Sequence, residues 1–576
     1  MRTRLACAAL VLSCIAGCTG VPGSSHPETI QHLGGTQAAA PVAPPQDGTD
    51  PRSLVQGFLD ANIIDAGNRG AARPYLTPVA RNRWTDATVT VLNDYQVGQF
   101  DGGTVTARGN QVATVDANGV YTPDPHGIGN GGEAVQFAFT LKTVSGQYRI
   151  DKLKNGLVLN LDGFHTAFTQ RTLYFYDAEE HYLVPDVRYS ALGDPQLAAS
   201  WLIGQLLLGP RDGLQNAESN LEWPPQATPG RVLVKVGNVT SIEVPGASKI
   251  PAAQLGRLAA QLACTLADIE PAGLFSITDG GKPVSIPAIG GTQFSAAEFS
   301  SSLGPQEQLE SPTLYYVRDG GVVDANGQRL PGDIGNGHLQ LKSVALARLP
   351  TSTQLYIAAT AAAGSGNAQQ LLVGTATTGL KKTALIGQLT RPSWVPGFDE
   401  VWIANGTTLF RATSAGHVTQ VPLLSLPPNG QIRALRVSPD GSRLALVIAT
   451  EKTTTSQAYI GTLDRGSGQV QVDALASISP EGVHVDDVAW NDPVKLFLIG
   501  TTQTVDARII EVQVDGSLWT ARGAPQLPGP PDSITIAENL PAWVSVDGSV
   551  WQQSGGSWIS PNDPGQTLGS QPIYLE

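Results

Sequence analysis

Cysteine and histidine carry most of the chemical capacity a protein can have, and this chain holds four of the first and eight of the second. The histidines (His26, His32, His126, His165, His181, His338, His417 and His484) are scattered rather than spaced as ligands or bases. No HExxH, CxxC pair or GxSxG occurs, so the spacings of zinc hydrolysis, dithiol chemistry and a serine elbow are missing. Gly281-Lys282 runs into Pro283, which fails the phosphate-loop pattern, and "DRGSGQVQVD" lacks the ligand spacing of a calcium loop. His181 beside Glu179 and Glu180 could form a metal or acid–base cluster, but such a polar run reads more simply as a solvated turn. Asp486-Asp487 could hold a cation, or could sit in a solvated loop. Trp394 and Trp490 could anchor a partner, or fill strand packing. No catalytic residue, metal or cofactor is expected.

One thiol does have a pattern. Arg2 and Arg4 precede the apolar run "LACAALVLSCIAG", which ends on Cys18. That run is too short to span a bilayer, which takes about 20 apolar residues. A basic start followed by a short apolar core is the form of an export signal. Ile15-Ala16-Gly17-Cys18 resembles the lipobox of bacterial lipoproteins. The resemblance implies cleavage after Gly17, a signal over 1–17, and diacylglyceryl and N-acyl groups on Cys18. The residues after it, 18–50, are rich in Pro, Gly, Ala and Gln without apolar periodicity, the composition of a tether. Cys7 and Cys14 leave with the signal. Cys264, inside the helical pattern "LAAQLACTLADI", then has no partner for a disulfide and reads as a small buried hydrophobe.

The 576 residues are enough for several domains, and a hydrophobic content of 41% supports sizeable cores. Charge is sparse at 15%, while 64 glycines and 41 prolines favour strands and turns. Loss of Arg2 and Arg4 takes the formal charge from −13 to −15, a sign that repels nucleic acid and anionic membrane surfaces. Arginine exceeds lysine and Met1 is the only methionine, the composition of a high-GC genome.

The chemistry-bearing residues must be positioned by several distinct elements. Residues 51–165 open with two helical patterns (Leu54, Phe58, Ile63; Tyr75, Leu76, Val79) and continue in strands such as "EAVQFAFTLKTVSGQYRIDKL". Helices followed by an antiparallel sheet resemble the NTF2-like cone, an α+β fold. Residues 170–285 read as strand, helix, strand pair, helix, strand pair. "RTLYFYDAEEHYLVPDVRYS" comes first, "QLAASWLIGQLLLGP" stops at Gly209-Pro210, and "RVLVKVGNVTSIEVP" turns at Gly237-Asn238. This order resembles the GerMN domain, α+β and without known catalytic residues. Residues 286–311 read as a connector whose Phe294 and Phe299 pack on a neighbour.

From 312 to 576 the chain repeats. "LYYV" at 314, "LYIA" at 355, "VWIA" at 401, "RLAL" at 443, "LFLI" at 496 and "AWVS" at 542 are spaced by 41, 46, 42, 53 and 46 residues. A period near 45 with several strands per unit predicts an all-β propeller of five or six blades, against a pair of β-sandwiches. In "VSPDGSRLAL", Pro439 sets a turn and Gly441 takes positive φ. "LYYV" is a sixth blade or a closing strand.

The order of lipobox, cone, GerMN-like domain and propeller, with "GCTGVPGSSHPETI" after the signal, resembles the actinobacterial LpqB lipoprotein family. The resemblance implies a non-catalytic, membrane-anchored extracytoplasmic protein. Its implied partner is the extracytoplasmic domain of an MtrB-like sensor histidine kinase, in a two-component system tied to cell division and envelope homeostasis. Two other expectations stand beside it: a cell-wall or small-ligand binder, and a periplasmic propeller enzyme.

Overall fold

The computed structural model describes residues 44–576 except 65–69, 125–131, 215–217, 220–222, 305–312, 351, 365, 451–452, 467, 481, 503–504, 523–526 and 561–568. Ile15, Ala16, Gly17 and Cys18 lie outside the described residues, as does the tether up to residue 43.

The chain begins in helix α1 (Pro51–Ile64). Asp50 caps it, its carboxylate accepting from the backbone of Arg52 and Ser53 at 3.1 Å. Leu54, Val55, Phe58 and Leu59 face inward. Helix α2 (Pro78–Arg83) starts where Thr77 accepts from Ala80, with proline at its first position. A sheet follows in the order 147–152, 133–144, 104–115, 89–97, 157–160, with 121–123 alongside 104–115. The last strand, Leu157–Asn160, joins in parallel and leads into helix α3 (Leu161–Ala167), which Asn160 caps. Phe58 meets Trp84 at 5.5 Å and Phe139 at 6.0 Å, edge to face, inside the core of this unit.

In the middle unit, strands Thr169–Asp177 and Leu183–Ser190 pair antiparallel. Helix α4 (Pro195–Leu208) ends at Gly209, whose φ of 93° only glycine adopts freely. Strands Leu233–Lys235 and Thr240–Glu243 pair across the Gly237-Asn238 turn. After helix α5 (Ala252–Leu266), Phe275–Asp279 extends that sheet in parallel. Cys264 is buried in this core, and burial pushes its thiol up to about 12. Phe294 and Phe299 are buried in the same core, and Phe294 exchanges backbone hydrogen bonds with Phe275 at 2.7 and 2.9 Å. The neighbour on which the connector packs is therefore the middle unit.

Beyond it stand five four-stranded antiparallel sheets, with inner strands Leu341–Arg348, Ser393–Trp394, Gln431–Val437, His484–Asp492 and Ser533–Thr535. Every repeat core in the sequence is the second strand of its sheet. "LYYV" resolves as blade and closure together. Tyr315–Arg318 pairs with Gly321–Asp324 on one side and with Ser570–Ile573 on the other. That late strand is the sixth inner strand and touches both its neighbours, 341–348 and 533–535, so the ring closes at six blades. The turn at Ser438 has the expected form, with Gly441 at φ 70° and Asp440 accepting from Ser438 Oγ (2.5 Å) and the Ser442 amide (2.9 Å).

The two tryptophans serve the blades. Trp394 is fully buried and donates Nε1–H to the Ala345 carbonyl of the preceding inner strand at 3.2 Å. Trp490, two blades on, donates to Arg436 O at the same distance. Each is an inter-blade tie. Trp394→Phe keeps the ring but orphans the carbonyl and leaves a gap. It should cost about 2–4 kcal/mol, read by chemical denaturation against Trp519→Phe as an exposed control. Equal stability of the two variants would remove the tie.

Candidate functional site

The strand "LVPDVRYS" is buried at every residue, because all three units meet on it. Its Pro185 carbonyl accepts from Arg443 Nη2 of the propeller at 2.6 Å, and Arg443 is held in turn by Asp440 at 3.2 Å. Tyr189 is hydrogen-bonded through its hydroxyl to Ser517 of the fourth blade, and His165 of the first unit donates Nε2–H to the Ser517 carbonyl at 2.9 Å. Asp186 is fully buried and binds Arg188 at 2.6 Å, with Arg211 at 3.7 Å. Arg188 also reaches Asn118 O in the first unit at 3.4 Å, where Tyr189 N–H donates to Gly119 O at 2.7 Å. This strand, which in the sequence reads only as part of the opening stretch of the GerMN-like region, is thus the joint of the molecule.

Beside this joint the sheet of the middle unit and the mouth of the propeller enclose a cavity of about 900 Å³. Thr172, Tyr174 and Pro185 face it from one side, and Arg391, Arg436 and Glu576 from the other. Arg436 is neutralised by Asp487, 3.2 Å away, and gives Nη1–H to Leu435 O at 2.6 Å. Asp487 also accepts from the Ile534 amide at 3.0 Å and so joins blades three, four and five. It sits in neither a solvated loop nor a cation site. The Glu576 carboxylate accepts from the Trp394 amide at 2.6 Å and Ser393 Oγ at 3.1 Å. Burial holds its carboxyl above the usual range against those bonds and Arg391. Arg391 donates Nη2–H to Pro572 O at 2.9 Å, while its Nε and Nη1 have no partner. Burial, then the nearby Arg436, pushes this guanidinium down to about 9, with Asp487 and Glu576 pulling back; it stays charged at neutral pH.

The fold also brings together a set that the sequence did not reveal. Ser456, His484 and Asp486 have the residue types of a nucleophilic triad. His484 Nε2 lies 3.1 Å from Asp486, and Nδ1 lies 3.3 Å from Ser456 Oγ. The hydrogen bonds deny it a base. The Ser456 backbone amide donates to Nδ1 at 2.8 Å, and Ser456 Oγ donates to Val485 O at 2.6 Å. Nδ1 is occupied and the hydroxyl points its proton elsewhere, so the trio ties neighbouring blades. Ser456 and His484 are separated by 28 residues with no motif between them. His181 stands on the turn expected of it, its side chain 59% exposed and 3.6 Å from Glu179. Glu180 turns instead to Arg257 at 2.9 Å. Among the described residues, no group of three or more histidine, cysteine or acidic side chains is placed to hold a metal ion.

Family models match both ends of the described chain: the N-terminal domain of lipoprotein LpqB over residues 44–165, and the β-propeller domain of lipoprotein LpqB over 317–574. Curated relatives bear the same description. Lipoprotein LpqB of Mycolicibacterium smegmatis is 30% identical, over 76% of this chain and 77% of its own length. That of Rhodococcus opacus is 26% identical over 98% and 95%, and that of Corynebacterium jeikeium 28% over 88% and 85%. Among solved structures, TolB from Acinetobacter baumannii matches with a TM-score of 0.32 at 13% identity, over 49% of this chain and 70% of that one. The relatives are named as lipoproteins, not as enzymes.

Proposed function

The chain belongs to the LpqB lipoprotein family, and on that premise we propose that it is a lipid-anchored, non-catalytic accessory of a sensor histidine kinase. In this reading Cys18 carries diacylglyceryl and N-acyl chains at the outer face of the cytoplasmic membrane, after removal of 1–17. No helix among the described residues is long and apolar enough to cross a membrane, so the reading assigns the anchoring to that thiol. The tether reaches at most about 100 Å. Confinement to the membrane raises the effective concentration at membrane partners, so a weak interface suffices. The partner is the extracytoplasmic domain of an MtrB-like kinase, and the consequence is altered signalling in division and envelope homeostasis.

The observation that supports this most is the joint at Leu183–Ser190. Three units docked through buried hydrogen bonds present fixed surfaces, as a scaffold requires, and the triad-like set found among the described residues has its base occupied. The test is binding of the mature chain, reconstituted in lipid nanodiscs, to the purified extracytoplasmic domain of its cognate kinase. Saturable binding is expected.

A further inference from the structure

Among the described residues with unpartnered buried side-chain atoms, Arg391 is the one with two of them. It is 8% exposed, and two of its three nitrogens, Nε and Nη1, have no acceptor. A guanidinium has five N–H donors, of which Nε carries one and Nη1 two, so more than half of them are unmet. A buried charge left this way costs stability, and such groups persist where something completes them. Nothing in the described protein does. Asp487 is taken by Arg436 and Ile534, and the Glu576 carboxylate by Trp394 and Ser393. No acid among the described residues stands within ion-pair distance of Arg391. Arg348, exposed at the edge of the same cavity, adds positive charge.

The remaining wall is mixed. Leu303, Pro396, Pro439, Ile536 and Leu540 form an apolar stretch of it, while Asn491, Asn539, Lys495 and the acids Asp492 and Glu538 line the rest, so the volume is neither a uniformly polar water pocket nor a dry void. One unmet cation beside an apolar stretch of wall suits one oxyanion on an apolar body. We infer that the cavity between the middle unit and the propeller is a binding site for a small amphiphilic anion, its carboxylate or phosphate group seated on Arg391 and its body against the proline and leucine wall. This goes beyond the accessory reading and does not rest on it: a ligand can bind here whether or not a kinase does.

The test is isothermal titration of the full mature chain in a nonionic detergent. The probes are hexanoate and hexyl phosphate, with hexan-1-ol as the neutral control and inorganic phosphate as the bare anion. Saturable binding of at least one amphiphilic anion at one site per chain is expected, with no comparable binding of the alcohol. Which of the two binds more tightly separates a carboxylate from a phosphate ligand. Arg391→Gln should weaken it roughly 10–100-fold, the range for hydrogen bonds to a charged partner. Arg348→Gln should weaken it less. Hexan-1-ol binding as tightly as the anions would overturn the inference, as would no saturable binding of any probe. Inorganic phosphate binding as tightly as hexyl phosphate would overturn the ligand class. If Arg391→Gln does not fold, the comparison of hexanoate with hexan-1-ol on the wild-type chain decides alone.

Discussion

Changing Cys18 to alanine should abolish lipid attachment and leave the leader uncut. Wild-type chain labelled in cells with a radioactive fatty acid carries the label, and its mature mass begins at residue 18 plus two or three acyl groups. The Cys18→Ala chain carries no label and retains residues 1–17. The effect should be all or none, because in this reading the Cys18 thiol is the acceptor; Ser13 and Thr19 offer only hydroxyls, and the one nearby thiol, Cys14, lies inside the apolar run rather than at its end. The consequence for location is nearly as large. Each buried methylene contributes about 0.8 kcal/mol, and one saturated chain alone binds only reversibly, so two or more hold the protein for its lifetime. An unlabelled wild-type chain, or one whose mature start lies elsewhere, would refute the anchor.

The second large effect lies in the propeller. Asp487→Ala leaves Arg436 buried without its counter-charge and Arg391 close by, with two guanidinia then sharing one floor. It also frees the Ile534 amide of the next blade. Removal of one partner from a buried pair costs about 3–5 kcal/mol. For a ring of this size that lowers its thermal midpoint on the order of 10 °C. The double variant Arg436→Met with Asp487→Leu removes both charges and should recover most of the loss, because an apolar pair of similar volume no longer requires solvation. A single variant within about 0.5 kcal/mol of wild type would show that the pair carries no stability.

What the sequence revealed of this molecule follows from range. Period-2 strands and turn residues are local, so "LYIA", "VWIA", "RLAL", "LFLI" and "AWVS" marked the second strand of each blade, and Gly441 its turn. The sixth inner strand was hidden for the same reason. "SQPI" contains Pro572, reads poorly as a strand, and finds its partner Tyr315 at the far end of the ring. Helix α3 was missed because "LDGFHTA" is barely two turns long; Asn160, its cap, was the one available signal. The site was less legible still. Arg391, Arg436, Asp487 and Glu576 come from four separate stretches, and no spacing rule joins them. Asp487 looked solvated beside Asp486 because adjacent strand residues face opposite ways. One meets Arg436 in the interior and the other meets His484 at the rim. The resemblance of Ile15-Ala16-Gly17-Cys18 to a lipobox is likewise local, and the Cys18→Ala experiment is its test.

The central claim is that this anchored body engages a kinase, and one titration tests it most directly. Nanodiscs carrying the mature chain are titrated with the extracytoplasmic domain of the MtrB-like kinase, with lipid-only nanodiscs as control. The account predicts saturation at one kinase domain per chain in the micromolar range, the same affinity for residues 51–576 in solution, and loss of binding when the propeller is unfolded by Asp487→Ala at elevated temperature. No saturation at tens of micromolar, with both proteins folded and the lipid anchor intact, would contradict it.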